Sequence, residues 1–426
     1  MTGITRRGFA ALVGGAAALP LFGTSLANAA RAPRVVVIGG GFAGATFVKY
    51  LRRALPAARI TLVEPKKSYV SCVYSNEVVV GLSTLKPLTV GYAALAQAYG
   101  IRHVRRTAVA IDPVARRVTL SSGDKLAYDK LVVAPGMAYR YDALPGWNEE
   151  TAALLPAAWH AGPETTQLAA RLKAMPNGGT AIITVPPAPY RCPPAPYERA
   201  SLFAWYLKRN KPAAKVLILD ANDTFPKQAL FEEGWARLFP GMVTRIPGSK
   251  GGAVQSVDAA AMRVEAGAGS FPGAVINIIP PQRAGDLATA AGLTDETGWC
   301  PVDPRTFASK LVPDVYVLGD AAASGLPKSA TSANAGAKVA ALAMAKTLSG
   351  RPVTDPLFIN TCYSRLAPDY AIGIASVFGV DPTSGAIVVR NTGTGTSPLG
   401  ASLGYRKEEA EDADKWFRAL MADTFA

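Results

Sequence analysis

The chain has 426 residues, 49% of them hydrophobic, and its 45 Lys and Arg outnumber 31 Asp and Glu for a net charge of +14. That length is too great for one core and predicts two or three globular domains, while the basic balance suits anionic substrates or an acidic protein partner. Nucleic acid is excluded, because the basic clusters His103-Val-Arg-Arg106 and Lys208-Arg209-Asn210-Lys211 are short and lack interleaved aromatics.

The first segment is not part of the fold. Thr5-Arg6-Arg7-Gly8-Phe9 precedes an apolar stretch, Ala10 to Phe22, and then Ala27-Asn28-Ala29, a small-x-small cleavage pattern. The pattern predicts a twin-arginine export leader over residues 1–29 and a periplasmic mature protein. A membrane anchor needs about 20 apolar residues; this stretch is shorter and is broken by Gly14, Gly15 and Pro20. No later stretch is long enough to span a bilayer, so no integral membrane segment is expected in the mature chain.

Next comes Arg34-Val-Val-Val-Ile-Gly-Gly-Gly-Phe-Ala-Gly44. Val35 to Ile38 read as a buried parallel strand. Gly39, Gly41 and Gly44 fall at the G-x-G-x-x-G spacing of a tight turn into a helix, expected from about Ala43 to Leu55. The helix start offers free N–H groups and a favourable dipole to a pyrophosphate, and the second glycine lets phosphate approach the backbone. A second apolar strand, Ile60 to Val63, ends at Glu64, whose carboxylate can accept hydrogen bonds from a ribose diol. A glycine triplet alone is weak; strand, helix and acid together predict a site for the ADP half of a dinucleotide. Cys72, in Ser68-Tyr-Val-Ser-Cys72, follows the second strand and falls at the carboxyl edge of the sheet, beside that dinucleotide.

Short strands between residues 101 and 134 end in Tyr128-Asp-Lys-Leu-Val-Val-Ala-Pro-Gly136, which resembles the returning strand of two-dinucleotide flavoproteins. Leu144-Pro145-Gly146 marks a domain boundary. A second α/β unit opens at Thr180 to Val185, with Lys215 to Asp220 as its mate. The turn after its first strand reads Pro186-Pro-Ala-Pro-Tyr-Arg-Cys192-Pro-Pro-Ala-Pro-Tyr-Glu198. Proline has no N–H to give a phosphate, so this domain is expected to keep the fold without binding nicotinamide nucleotide. Cys192 lies ahead of a helix expected over Pro196 to Lys208. Beside Arg191 and a helix start its thiolate is stabilised, making it a candidate nucleophile or redox thiol. Glu198, in the first helical turn, is a candidate proton acceptor.

The chain is expected to return to the first domain at Ala274-Val-Ile-Asn-Ile-Ile-Pro and again at Asp314-Val-Tyr-Val-Leu-Gly319-Asp320. A carboxylate at Asp320 can bind the ribityl or pyrophosphate side of FAD. A helix of small residues follows Pro327-Lys-Ser-Ala-Thr-Ser and reaches about Leu348. Its start points N–H donors where a reduced flavin carries negative charge. These motifs together favour FAD over NAD. From Pro352 the composition changes, and an acidic tract, Glu408 to Asp414, precedes aromatic and apolar residues at helical spacing from Trp416 to Phe425.

Ser71-Cys72-Val-Tyr-Ser-Asn-Glu77, Arg191-Cys192-Pro-Pro-Ala-Pro-Tyr-Glu198-Arg199, Gly319-Asp320-Ala-Ala and Asn360-Thr-Cys362-Tyr-Ser364 together resemble the flavoprotein subunit of flavocytochrome c sulfide dehydrogenase, a relative of sulfide:quinone oxidoreductase, over essentially the whole mature chain. The resemblance implies an α/β protein with two Rossmann-like dinucleotide-binding domains of the glutathione-reductase type and a C-terminal α+β interface domain. The expected spans are 33–148 with 274–350 for FAD, 149–273 for the second Rossmann-like domain and 352–426 for the third. It also implies FAD bound covalently through Cys72, a redox disulfide between Cys192 and Cys362 over the flavin, a proton role for Glu198, and sulfide as substrate. Sequence alone does not choose which of Cys192, Cys300 and Cys362 stays unpaired if Cys72 holds flavin; Cys300, in Gly298-Trp-Cys300, is the expected odd one, a structural thiol in a turn. The family's electrons pass to a c-type haem. With no C-x-x-C-H and only His103 and His160, that haem belongs to a separate cytochrome subunit, and no metal site is expected. Two alternatives stay open: a membrane-associated sulfide:quinone oxidoreductase, and a non-catalytic flavin-binding interaction module.

Overall fold

The computed structural model describes residues 31–426; the leader expected over 1–29 lies outside the described residues. Arg34–Ile38 forms the centre of a five-stranded parallel sheet, in the order Val315–Val317, Lys130–Val133, Arg34–Ile38, Arg59–Val63, Arg102–Val104. Four consecutive branched side chains, Val35 to Ile38, are buried, as a strand covered on both faces requires. The helix Phe42–Ala54 follows and lays Phe47, Val48 and Leu51 into the core, with Arg52 and Arg53 in its last turn against the negative end of its dipole.

The second sheet is also parallel, in the order Val243–Ile246, Lys215–Asp220, Thr180–Val185, Val275–Ile278. The last strand corrects one expectation. Residues 274–280 do not return to the first domain: Val275 pairs with Ala181 and Ile278 with Thr184, so the strand completes the second sheet. A wholly apolar run reads alike whichever parallel sheet receives it. The return begins at Gln282–Ala284, antiparallel to Met137–Tyr139, and is completed by Val315–Val317.

The third region is an antiparallel sheet of Leu357–Ala367, Tyr370–Val380 and Ile387–Thr396, followed by the helix Leu403–Phe425. Its first strand packs against two helices at once, Ala195–Asn210 behind the second sheet's loop and Ala330–Leu348 behind the last strand of the first sheet. Polar side chains fix its position. Asn360 Oδ1 accepts from Ser329 Oγ at 2.7 Å and Ser332 Oγ at 3.2 Å, and Thr331 Oγ1 donates to the Thr361 carbonyl at 2.9 Å. The third region therefore delivers residues 360–364 to the place where the two parallel sheets meet.

Candidate functional site

The carboxyl edge of the first sheet opens into a cavity of about 370 Å³ whose lining comes from all three regions. The glycine turn forms one end. Gly39 has φ +95°, and a Cβ on Gly44 would lie 1.8 Å from the Gly39 carbonyl, so both positions exclude any other side chain. Gly41 meets only the Tyr69 ring, at 3.6 Å, which leaves its backbone open to a ligand. The following helix has no side-chain cap and no acid in its first turn, so its leading N–H groups face the cavity unneutralised. Glu64 stands beside them, accepting from Gly40 N at 2.9 Å and from Lys66 N at 3.0 Å.

Cys72, Arg191, Gly319 and Asp320 line the middle of the cavity. Gly319 takes φ +71° and turns Asp320 toward Arg191, whose Nη1 lies 3.9 Å from Asp320 Oδ2. Arg191 Nη2 is buried with no hydrogen-bond partner, a donor left over for something bound there. His160 is exposed to the same cavity. The helix Ala330–Leu348 starts at the same cavity, capped by Ser329 Oγ accepting from Ser332 N at 3.0 Å.

At the other end lie two sulfurs. Cys192 is held in the left-handed region at φ +55°, its N–H donating to the Lys328 carbonyl at 2.7 Å, just ahead of the helix Ala195–Asn210. Cys362 arrives on the strand Leu357–Ala367 and lines the same cavity, close enough to Cys192 for the two thiols to perturb each other. The family resemblance implies a disulfide between them; here both are free thiols. One expectation is corrected. The thiol with the stabilised thiolate is Cys362, brought down to about 7 by the hydrogen bond from Cys192 and by the nearby Lys227 ammonium. Cys192 is pushed up, by that same hydrogen bond and then by burial. Arg191 turns toward Cys72 and Asp320, so adjacency in sequence does not deliver its charge to the Cys192 sulfur.

Glu198 is half-buried in the first turn of its helix, and accepts from Asn76 Nδ2 at 2.9 Å. Burial raises its carboxyl, against Asn76, Lys227 and Ser364, so it is suited to hold a proton near the sulfurs. Arg199, 1% exposed, anchors this end. It donates to Asn76 Oδ1, Asn277 Oδ1 and the carbonyls of Ala157 and Ala158, all within 2.9 Å. Cys300 lies apart from the cavity lining, fully buried in a short strand, Cys300–Pro301, paired with Ala322–Ala323 rather than in a turn, its thiol pushed up to about 12 by burial. Among the described residues no cluster of three or more His, Cys, Asp or Glu is placed to hold a metal ion.

Asn76 and Arg199 fall inside the quoted motifs, but nothing local marks their roles, and Lys227 lies outside every motif.

These residues fit FAD. The Gly39 to Gly44 turn and Glu64 suit its ADP half, Asp320 and the free Nη2 of Arg191 its middle, and the sulfurs and the second helix start its flavin. Comparisons with known proteins agree. Residues 165–280 match the central domain of the sulfide dehydrogenase (flavocytochrome c) flavoprotein chain, residues 354–425 the flavin-binding domain of flavocytochrome c sulphide dehydrogenase, and residues 33–163 the pyridine nucleotide-disulphide oxidoreductases. The chain is 58% identical over 45 residues to the flavoprotein chain of sulfide dehydrogenase (flavocytochrome c) of Chlorobaculum thiosulfatiphilum, covering 11% of this chain and 94% of that sequence. It is 22% identical over 310 residues to mouse mitochondrial sulfide:quinone oxidoreductase, covering 70% of this chain and 67% of that one. The solved structure of sulfide:quinone oxidoreductase from Aquifex aeolicus superposes with a TM-score of 0.72 at 18% identity, covering 93% of each chain. The chain belongs to the family of flavocytochrome c sulfide dehydrogenase flavoprotein chains and their sulfide:quinone oxidoreductase relatives, FAD-binding oxidoreductases built on two Rossmann-like units.

Proposed function

We propose that this chain oxidises sulfide at a Cys192–Cys362 redox disulfide and passes the electrons through FAD to a separate c-type cytochrome subunit, in the periplasm. The observation that carries the reading is the meeting of these two thiols at one end of the cavity whose other end is the glycine turn.

In the first step hydrosulfide attacks one sulfur of the disulfide. The S–S bond breaks, the attacked cysteine becomes a persulfide, and the other leaves as a thiolate. Glu198, half-buried and held by Asn76, takes the proton of the new persulfide. FAD, when bound, supplies a two-electron acceptor that can release electrons singly. Formation of a sulfur–sulfur bond between the deprotonated persulfide and the thiolate would release the electron pair for it to accept, and His160 and the start of the helix Ala330–Leu348 line the same cavity. Tyr74, Trp416 and Tyr363 add aromatic surface to the lining. Cys72 lines the same cavity as the glycine turn and the sulfurs, which supports the thioether to FAD that the family resemblance implies.

The second Rossmann-like unit supports an electron route that does not use nicotinamide nucleotide. Asp220, which ends its second strand where a ribose-binding acid would stand, is fully buried and already accepts from Tyr197 Oη at 2.6 Å, Arg245 Nε at 2.8 Å and Asn222 N at 2.8 Å. A c-type haem cannot be attached to this chain through a C-x-x-C-H sequence, since none is present. That supports a second subunit as the haem carrier. No helix among the described residues is long and apolar enough to cross a membrane.

Sulfide-dependent bleaching of the flavin tests the reaction. Cys192→Ser is expected to reduce it to the rate of free flavin, and unchanged bleaching would remove the disulfide from the mechanism. Acid denaturation tests the linkage: yellow colour should stay with the precipitate, and colour released to the supernatant would rule out a bond to Cys72. A haem-staining subunit should co-purify with the chain from the exported fraction; recovery of the chain from the cytoplasm with no haem partner would overturn the proposed location and acceptor.

A further inference from the structure

The two sulfurs are chemically identical, and a hydrogen bond between two thiols does not by itself decide which one carries charge. What faces each sulfur decides. Cys192 faces Glu198 and Cys72, both of which disfavour an anion. Cys362 faces Cys192, Glu198 and Lys227, of which only Lys227 is a cation.

Lys227 is unusual on three counts. It is 7% exposed, although lysine is seldom buried without a carboxylate partner. Its hydrogen bonds go to neutral acceptors on the cysteine strand and its neighbour: Ser364 Oγ at 2.8 Å, the Ile372 carbonyl at 3.3 Å and the Cys362 carbonyl at 3.4 Å. Its backbone sits at φ +64° in the left-handed region, at the start of the helix Gln228–Leu238, where the dipole disfavours a cation. Strain, burial and an unfavourable dipole are all borne to hold one ammonium beside Cys362. The charged or titratable groups facing that ammonium are Cys362, Glu198, Cys192 and, from the C-terminal helix, Glu409.

We infer that Lys227 is the positioning residue that makes the disulfide unsymmetrical, so that hydrosulfide attacks Cys192 and Cys362 is the sulfur that leaves. In that step a bond forms between the hydrosulfide sulfur and Cys192 Sγ, and the Cys192–Cys362 bond breaks. Its electron pair goes to Cys362 Sγ as a thiolate neutralised by Lys227, and the persulfide proton goes to Glu198. The lower-pKa thiol is the better leaving group in exchange. The sulfane sulfur is therefore carried on Cys192, on the rigid proline-rich turn, while the electrons collect on the third region's strand. This inference rests on the disulfide reading above.

Competitive alkylation of the reduced, FAD-bound protein with iodoacetamide across pH, read by mass spectrometry of the two peptides, tests it. In the wild type Cys362 should be modified first, with half-maximal rate near neutral pH, and Cys192 only at alkaline pH. Lys227→Met should raise the Cys362 midpoint by roughly one pH unit or more, and Lys227→Arg should restore it. A stoichiometric addition of hydrosulfide to the oxidised wild type should leave the persulfide on Cys192. The inference is overturned if Cys192 is modified first in the wild type, if Lys227→Met leaves the Cys362 profile unchanged, or if the persulfide is found on Cys362. Should Lys227→Met lose its flavin, the wild-type order of modification still decides. Absence of any Cys192–Cys362 disulfide in the oxidised protein would instead defeat the disulfide reading, and the thiol order in the reduced protein would judge Lys227 separately.

Discussion

Two parallel sheets of nearly the same construction stand side by side in this molecule, and they have opposite fates. In the first, the strand Arg34–Ile38 runs into three glycines and an uncapped helix, and the acid at the end of the next strand, Glu64, faces an open cavity. In the second, the strand Thr180–Val185 runs into prolines, and the equivalent acid, Asp220, is locked to Tyr197 and Arg245. The difference teaches that a dinucleotide site is made by what the fold leaves unsatisfied. The first unit holds free N–H groups in reserve; the second has engaged its strand-end acid with its own residues, and Arg191 Nη2, left free on its proline turn, lines the first unit's cavity. What remains to the second unit is mechanical and chemical: its proline turn and the helix behind it carry Cys192 and Glu198 to the first unit's ligand.

The comparison breaks most visibly at Gly44. Gly44→Val puts a Cβ into the Gly39 carbonyl and is expected to abolish flavin binding, read as loss of the absorbance near the flavin bands in the purified protein. A yellow Gly44→Val variant would mean that the turn is not the cradle. The second unit should respond in stability alone. Asp220→Ala leaves Arg245 buried without its partner and should cost about 3–5 kcal/mol in chemical denaturation. Flavin content should remain unchanged in the folded fraction, and NADH should neither bleach the flavin nor raise the melting temperature. Reduction by NADH would erase the contrast between the sheets.

A smaller effect sharpens the picture of the first unit. Glu77, beside Arg365 at 2.9 Å, is pushed up from 4.5 to about 7, chiefly by burial. The folded state then binds more protons than the unfolded one between those values, so stability falls as pH rises through that window, by about 3 kcal/mol in all. Glu77→Gln should flatten that slope, measured as melting temperature against pH. An equally steep slope in the variant would assign it to another group.

Much of this arrangement was legible in the chain itself. The glycine turn, Glu64, both parallel sheets and the proline substitution in the second unit follow from local spacing and from what proline and glycine can do. The pairing of Cys192 with Cys362 came from family resemblance and not from spacing, because the two meet only through the packing of the third region's strand between two helices. Residues 275–278 were placed in the wrong sheet, since uninterrupted apolar character says buried but not beside which neighbour. The thiolate was read at Cys192 because Arg191 is adjacent in sequence, whereas the charge that matters comes from Lys227, contributed by a separate helix start. Electrostatics follow distance in space, and a linear reading captures them only when the partner is local.

The helix Leu403–Phe425 carries a consequence for the cavity wall. Phe425 rests on Phe42 and Tyr69 beside the glycine turn, Phe417 stacks on Tyr74, and Asn334 joins Thr46 to Thr424 and Asp423. Three aromatic side chains of that wall, Phe42, Tyr69 and Tyr74, are thus buttressed from behind by the third region, so damage to a helix with no residue in the glycine turn would still loosen the grip on whatever the turn holds.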